Sequence, residues 1–286
     1  MMNQLPIKTR LFLIGCPRSG TTLLQSLLAA HPEVASFPES HLFQSLWMYR
    51  WSRLLGLASP KGREQLNWFL QEINQEKLQN KFPKNARFIR QYGKILQQAL
   101  DNATQAQGKS IWLEKSPEHV RYIRYIEASI SDAKFIHLVR NGSDVVASLY
   151  DVTHKHRQPD VWGDEPWELD KCIRHWVRSV ELGRPYLKKP NHILVRYEKL
   201  VENPELILRE LCDFIETSFN PIMLEDYGKT AEKVILKNEA WKASVAQPIN
   251  NANSTKFYQL FSPEKQQYIL EKLSVVNLDE LIQNPS

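Results

Sequence analysis

Short apolar runs alternate along this chain with longer stretches in which apolar residues recur every three or four positions. The short runs are Leu11 to Gly15, Val34 to Ser36, Ser110 to Leu113, Lys134 to Val139 and His192 to Tyr197. Each has the length of a strand buried on both faces. Between them, Leu23, Leu24, Leu27 and Leu28 share one helical face, and Asn67 to Leu78 and Ala86 to Leu100 carry the same helical period. Strands separated by helices predict an α/β fold: a three-layer sandwich with a central parallel sheet and helices on both faces. No repeat or low-complexity linker divides the chain, so residues 1–286 read as one domain. Two segments read as elaborations. Residues 40–108 form a helical insert suited to a lid or substrate wall, and residues 217–262 read as an irregular segment.

Composition narrows the class. The 286 residues are 42% hydrophobic and 10% aromatic, enough to fill a core. No apolar run reaches the roughly 18 residues of a membrane span, and the first ten residues lack the apolar region of a signal peptide. Three widely spaced cysteines (Cys16, Cys172, Cys212) suggest neither a disulfide framework nor a metal knuckle. A cytoplasmic location and no membrane partner are therefore expected. The net charge of +5 suits a pocket for an anion. Without a dense basic stripe, zinc pattern or RNA-binding aromatic signature, no nucleic-acid partner is expected. Arg121 and Arg124, in 121-RYIRYIEAS-129, read as residues of a solvated helix face.

The strongest local signal is 11-LFLIGCPRSGTTLLQSLLAAHP-32. A strand enters a turn bracketed by Gly15 and Gly20, and a helix follows. That geometry aims free backbone N–H groups at an anion, and Ser19, Thr21 and Thr22 add hydroxyls. The glycine spacing matches the nucleotide-triphosphate loop G-x-x-x-x-G-K-[ST], but Thr21 occupies the lysine position and the basic residue is Arg18. A second strand, turn and helix lies in 134-KFIHLVRNGSDVVASLY-150, where Ser143 or Asp144 can cap the helix. Its strand ends in Arg140 instead of a metal-binding aspartate. Arg140, with Ser148 one turn into the helix, forms a second phosphate site. A P-loop small-molecule kinase or a nucleotide-binding module shares this outline, but the missing lysine and metal carboxylate weigh against a magnesium-dependent NTPase.

CPRSGTT followed by FIHLVRNGSDVVASLY resembles the two cofactor motifs of sulfotransferases that use 3′-phosphoadenosine 5′-phosphosulfate (PAPS). The run 192-HILVRYEKLVENPE-205 is similar to a third family segment. PRSGTT, His31-Pro32-Glu33 and 37-FPES-40 are most similar to the tyrosylprotein-type and related bacterial branch. The resemblance implies PAPS as donor, no metal, and cofactor contacts from Pro17, Arg18, Ser19, Gly20, Thr21, Thr22, Arg140, Ser148 and Tyr197. It implies catalytic roles for Glu39 as base and for Arg18 and Lys115 as cations at the transferred group. In 253-NSTKFYQLFSPE-264 it points to Ser254, Thr255 and Lys256 as the segment closing on the cofactor, with Phe257 where Trp is usual. His41, His119, His154 and His156 are reserve bases. The expected reaction is in-line transfer of a sulfuryl group to a hydroxyl or amine. The tyrosylprotein enzymes are membrane-anchored and secretory, and no anchor is visible here. The acceptor expected is therefore a small molecule, with alkaloids and other natural products among the candidates. Aromatic residues of the insert (Phe43, Trp47, Tyr49, Trp51, Trp68, Phe69) could line its pocket.

Overall fold

A computed structural model describes residues 5–46, 55–83, 85–155, 163–234, 249 and 255–281. Five parallel strands form one sheet: β1 (Thr9–Gly15), β2 (Val34–Ser36), β3 (Ile111–Lys115), β4 (Ala133–Val139) and β5 (His192–Arg196). Their spatial order is β2-β3-β1-β4-β5. From β1 the chain crosses to one side of the sheet to make β2, and from β4 it goes to the other side to make β5. The turns leaving the adjacent strands β1 and β4 thus flank a topological switch point, where open α/β sheets collect ligands.

Alternation along the strands divides the core into layers. Leu11 and Leu13 of β1, Leu113 of β3 and Ile136 and Leu138 of β4 pack under α1 (Thr21–Ala29). Phe12, Ile14, Trp112 and Phe135 face the opposite layer, which the insert covers. That insert contains α2 (Leu42–Ser45), α3 (Pro60–Glu72) and α4 (Ile89–Ala106). The chain then passes through β3, a 3-10 turn (Pro117–Arg121) and α5 (Ile123–Ser129). A third cluster gathers around Cys16 and Val139, from α6 (Gly142–Lys155) and α7 (Leu169–Gly183). After β5 come α8 (Tyr197–Glu202), α9 (Pro204–Phe214), α10 (Ile222–Glu225) and α11 (Tyr227–Val234). The described chain closes with α12 (Thr255–Leu260) and α13 (Pro263–Leu273), both contributing to the third cluster.

The five expected strands are present, with ends shifted. Tyr197 begins α8 instead of ending β5. The helix expected over Asn67 to Leu78 is instead two pieces. α3 ends at Glu72, Asn74 takes a left-handed φ of 56°, and a 3-10 helix (Glu76–Lys81) follows. Asn tolerates that conformation better than most residues. The segment expected to be irregular, 217–262, contains α10, α11 and α12 where it is described. The apolar repeat there is too short to have marked them. Arg121 is not on a solvated face: it donates to Glu118 at 2.6 Å and lies 3.2 Å from His175, half-buried. Arg124 is exposed. All three cysteines are buried and unbridged. Among the described residues no helix is long and apolar enough to cross a membrane.

Two polar contacts in the interior bear on stability, one at half-buried Asp101 and one at buried His137. Asp101 of α4 accepts from Trp112 Nε1 at 2.7 Å and from both Nε and Nη2 of Arg10, at 3.1 and 2.7 Å. Replacing Asp101 with Ala strands an indole N–H and part of a guanidinium. The expected loss is about 2–3 kcal/mol of unfolding free energy, read by chemical denaturation. His137 Nε2 lies 2.8 Å from His192 Nδ1, inside the sheet. Burial, helped by His192, pushes His137 down to about 3. The unfolded chain therefore binds a proton that the native state refuses between the ordinary histidine value and about 3. Stability is expected to fall as pH drops through that window, and the His137→Gln variant should show a flatter profile. An unchanged slope would show that other groups set the acid limit.

Candidate functional site

The site forms where β1, β3 and β4 end. Gly15 closes β1 against β4 so tightly that a Cβ there would sit 2.3 Å from the Leu138 carbonyl oxygen. The turn then carries Pro17, half-buried, and Arg18, held at φ 71°. A non-glycine residue in this region stores backbone strain, which clusters at functional sites. Gly20 has φ 95°, and a Cβ there would fall 2.4 Å from the Tyr197 ring. Ser19, Thr21 and Thr22 are buried, the last two as the opening residues of α1. The first amides of a helix lack intrahelical acceptors, so this turn presents N–H groups at the sheet edge. Ser19 Oγ is buried and has no hydrogen-bond partner among the described residues.

The second motif meets the first. Arg18 Nε donates to Ser148 Oγ on α6 at 3.2 Å. Arg140 lies with its guanidinium 4.4 Å from the centroid of the Tyr197 ring, the same ring that backs Gly20. Its Nη2 is 3.8 Å from buried Asp144. Trp176 Nε1 fixes the Arg140 carbonyl at 3.0 Å, and Glu198 Oε1 accepts from the Asn141 amide at 2.8 Å. The helix cap is Asn141, not Ser143 or Asp144: Asn141 Oδ1 accepts from the Ser143 amide at 3.1 Å. Arg18 and Arg140 thus belong to one surface, joined through Ser148 on one side and Gly20–Tyr197 on the other. Burial raises the Tyr197 phenol's pKa, against the opposing pull of Arg140, so the ring serves as a neutral platform.

Lys115 ends β3 fully buried, and its ammonium pairs with Glu39 Oε1. His41 Nε2 stands 3.6 Å from Glu39 Oε2, and burial lowers the His41 pKa although Glu39 pulls it up. Of the other reserve bases, His119 is fully buried behind β3, hydrogen-bonded to Glu114. His154 is bonded at 2.7 Å to the Tyr150 carbonyl and stacked on its ring. His156 lies outside the described residues.

Thr255 and Lys256 open α12, which packs on α6 through buried Phe257. Lys256 Nζ reaches Asp151 at 2.7 Å, three residues beyond Ser148 on α6. Burial would raise the Asp151 pKa, but Lys155 and Lys256 hold it below the usual range. Ser254 lies outside the described residues. In the insert, Phe43 and Phe69 are core residues and do not line a pocket, while Trp68 is 36% exposed. Trp47, Tyr49 and Trp51 lie outside the described residues. Ser40, Glu114 and Ser116, which the motifs did not single out, are hydrogen-bonded to one another beside the Glu39 peptide. The only available signal was a glutamate in a strand otherwise apolar up to Lys115. Among the described residues no group of His, Cys, Asp and Glu is arranged to hold a metal ion.

Comparison with known proteins places these motifs. The sequence model of the Sulfotransferase family matches residues 10–221. Protein-tyrosine sulfotransferase 1 of Danio rerio is 26% identical over 257 residues, covering 84% of this chain and 63% of the relative. The Homo sapiens protein of the same name is 24% identical, covering 93% of this chain and 66% of the relative. The chain thus spans about two thirds or less of the length of these relatives. Among solved structures, the sulfotransferase domain of the Synechococcus PCC 7002 olefin synthase superposes with TM-score 0.60 at 24% identity, covering 97% of this chain and 98% of that one. Mouse sulfotransferase SULT7A1 complexed with PAP superposes with TM-score 0.54 at 12% identity, covering 98% and 86%. The expectation of a small-molecule acceptor is corrected by the curated relatives, which are named for a protein tyrosine acceptor. That expectation leaned on this sequence showing no membrane span, which does not bear on what the site accepts. By the extent of the family match and the two linked basic motifs, this chain belongs to the sulfotransferase family.

Proposed function

We propose that the chain transfers the sulfuryl group of PAPS to the phenolic oxygen of a tyrosine in a protein or peptide acceptor. The observation that carries the reading is the link between the two basic motifs: Arg18 bonded to Ser148, and Arg140 stacked on the tyrosine that backs Gly20. One nucleotide with phosphates at both ends suits such a surface. The residues fit that donor in a second respect. Ser19 Oγ is buried without a hydrogen-bond partner among the described residues, a state that an anion seated at this turn would relieve. The protein-tyrosine relatives support the acceptor.

The donor supplies an electrophilic sulfur and a phosphate leaving group, so transfer makes an S–O bond to the acceptor as the bridging S–O bond breaks. The chain's own residues would do the rest by position and charge. Amides at the start of α1 (Gly20 to Thr22) and the Arg18 guanidinium hold the 5′-side charge, while the Ser19 amide is spent on the Cys16 carbonyl at 3.2 Å. Arg140 and Ser148 hold the 3′-phosphate, as the resemblance implies. Thr255 and Lys256, fixed on α6, stand as candidates for the closing segment. Lys115 bears the charge that grows on the transferred group and the bridging oxygen. Glu39 accepts the phenol's proton. Its Oε1 pairs with Lys115, and its Oε2 stands beside His41.

The functional test is incubation with PAPS and tyrosine-containing peptides, with phenylalanine versions as controls. Gain of one SO3 by the tyrosine peptides alone is expected; equal labelling of the controls, or none at all, would refute the acceptor. Glu39→Gln should lower kcat by roughly 10²–10⁴-fold, with PAP affinity little changed. Near-normal turnover removes Glu39 from the mechanism. Arg140→Ala should weaken PAP binding by about 10–100-fold in calorimetry, the worth of a charge-assisted contact. Unaltered affinity would place the 3′-phosphate elsewhere.

A further inference from the structure

Glu114 is buried completely in the strand that ends in Lys115. Burial alone would raise its pKa, but His119, Ser116 and Ser40 hold it below the usual carboxylate range. Its Oε1 accepts from the Ser40 amide at 3.2 Å, from Ser40 Oγ at 2.7 Å and from Ser116 Oγ at 2.6 Å. Its Oε2 accepts from His119 Nδ1 at 3.1 Å. The neighbours on either side extend the pattern. Lys115 pairs with Glu39, and Ser116 Oγ accepts from the His41 amide at 3.2 Å. Successive residues of one segment, 114 to 116, thus grip successive residues of another, 39 to 41. On its far side Ser40 offers its carbonyl to Gln65 of α3 at 2.8 Å.

We propose that Glu114, oriented by His119, is a positioning residue for the transfer reaction: it fixes the peptide that carries Glu39 and so sets where that carboxylate stands. The inference rests on the role given to Glu39 above. A carboxylate is suited to this task because one oxygen can accept several donors at once, which neither a hydroxyl nor an aliphatic residue can do in that space. Burial makes the arrangement stiff. Water cannot replace any lost bond, so the Ser40 amide has no second place to go. Glu114 lies behind the Glu39–Ser40 backbone and acts through Glu39, not on substrate.

The test is a double-mutant cycle in the full chain with saturating PAPS and a tyrosine peptide. Glu114→Ala should lower kcat about 100-fold, as a displaced reacting group does, while PAP affinity by calorimetry stays within about twofold. In the Glu39→Gln background the same change should cost nothing further, because there is no base left to misplace. Glu114→Gln keeps an oxygen toward Ser40 and Ser116 and should retain kcat within about tenfold. Equal losses from Glu114→Ala in both backgrounds, unchanged kcat, or Glu114→Gln as impaired as Glu114→Ala would overturn the proposal. If Glu114→Ala does not fold, Ser40→Ala takes its place in the cycle with the same expected non-additivity, and additive losses there overturn it equally. A wild-type chain that transfers nothing to the peptides refutes the functional reading itself, before any variant is compared.

Discussion

The site depends on how closely β1 and β4 run side by side. Gly15 faces the Leu138 carbonyl with no room for a side chain, and the two strands stay paired up to that point. Each strand then releases its chain in an opposite direction. The paired ends hold two turns next to each other, one opening α1 and one beginning at Arg140. A wider separation would leave the two basic turns apart instead of on one extended surface.

Tyr197 carries that closeness one layer further. Its ring fills the space that a side chain at position 20 would need, and it also receives the Arg140 guanidinium. The loop's backbone and the second motif's charge are therefore set by the same aromatic face. The left-handed Arg18 completes the arrangement by turning its side chain toward Ser148. The cost of that conformation, on the order of 1–3 kcal/mol, is offset by a well-packed strand below and a buried helix behind.

The corner around Glu39 is built on different physics. Arg18 and Arg140 mark the two basic motifs, whereas Glu39 and Lys115 form a mutual pair beside the buried carboxylate of Glu114. Glu39 is thereby located by its partners before any ligand arrives. The insert contributes through Gln65 and through the apolar layer under Trp112, so its helices act as structural support for this corner of the site.

Much of this was present in the linear chain. Continuous apolar runs marked the strands because a strand covered on both faces has no solvent side to record. GCPRSGTT and VRNGSD marked the two turns that meet at the sheet edge because tight turns before helices draw on glycine and hydroxyl residues, and family resemblance singled out Glu39 and Lys115, which the structure pairs. Other features were unreadable for equally physical reasons. The break after Glu72 depends on one asparagine entering a left-handed conformation, which local composition permits without demanding. The cap at Asn141 was hidden among three adjacent capping residues. Glu114 looked like an ordinary polar position because its partners at 40, 116 and 119 come from two segments that only the sheet brings together. The chain alone determined which elements form and what chemistry each turn carries, since both follow from local periodicity and residue type. Only the tertiary structure decided which charges meet and which carboxylate is buried, because those contacts join residues as far apart as Arg18 and Ser148.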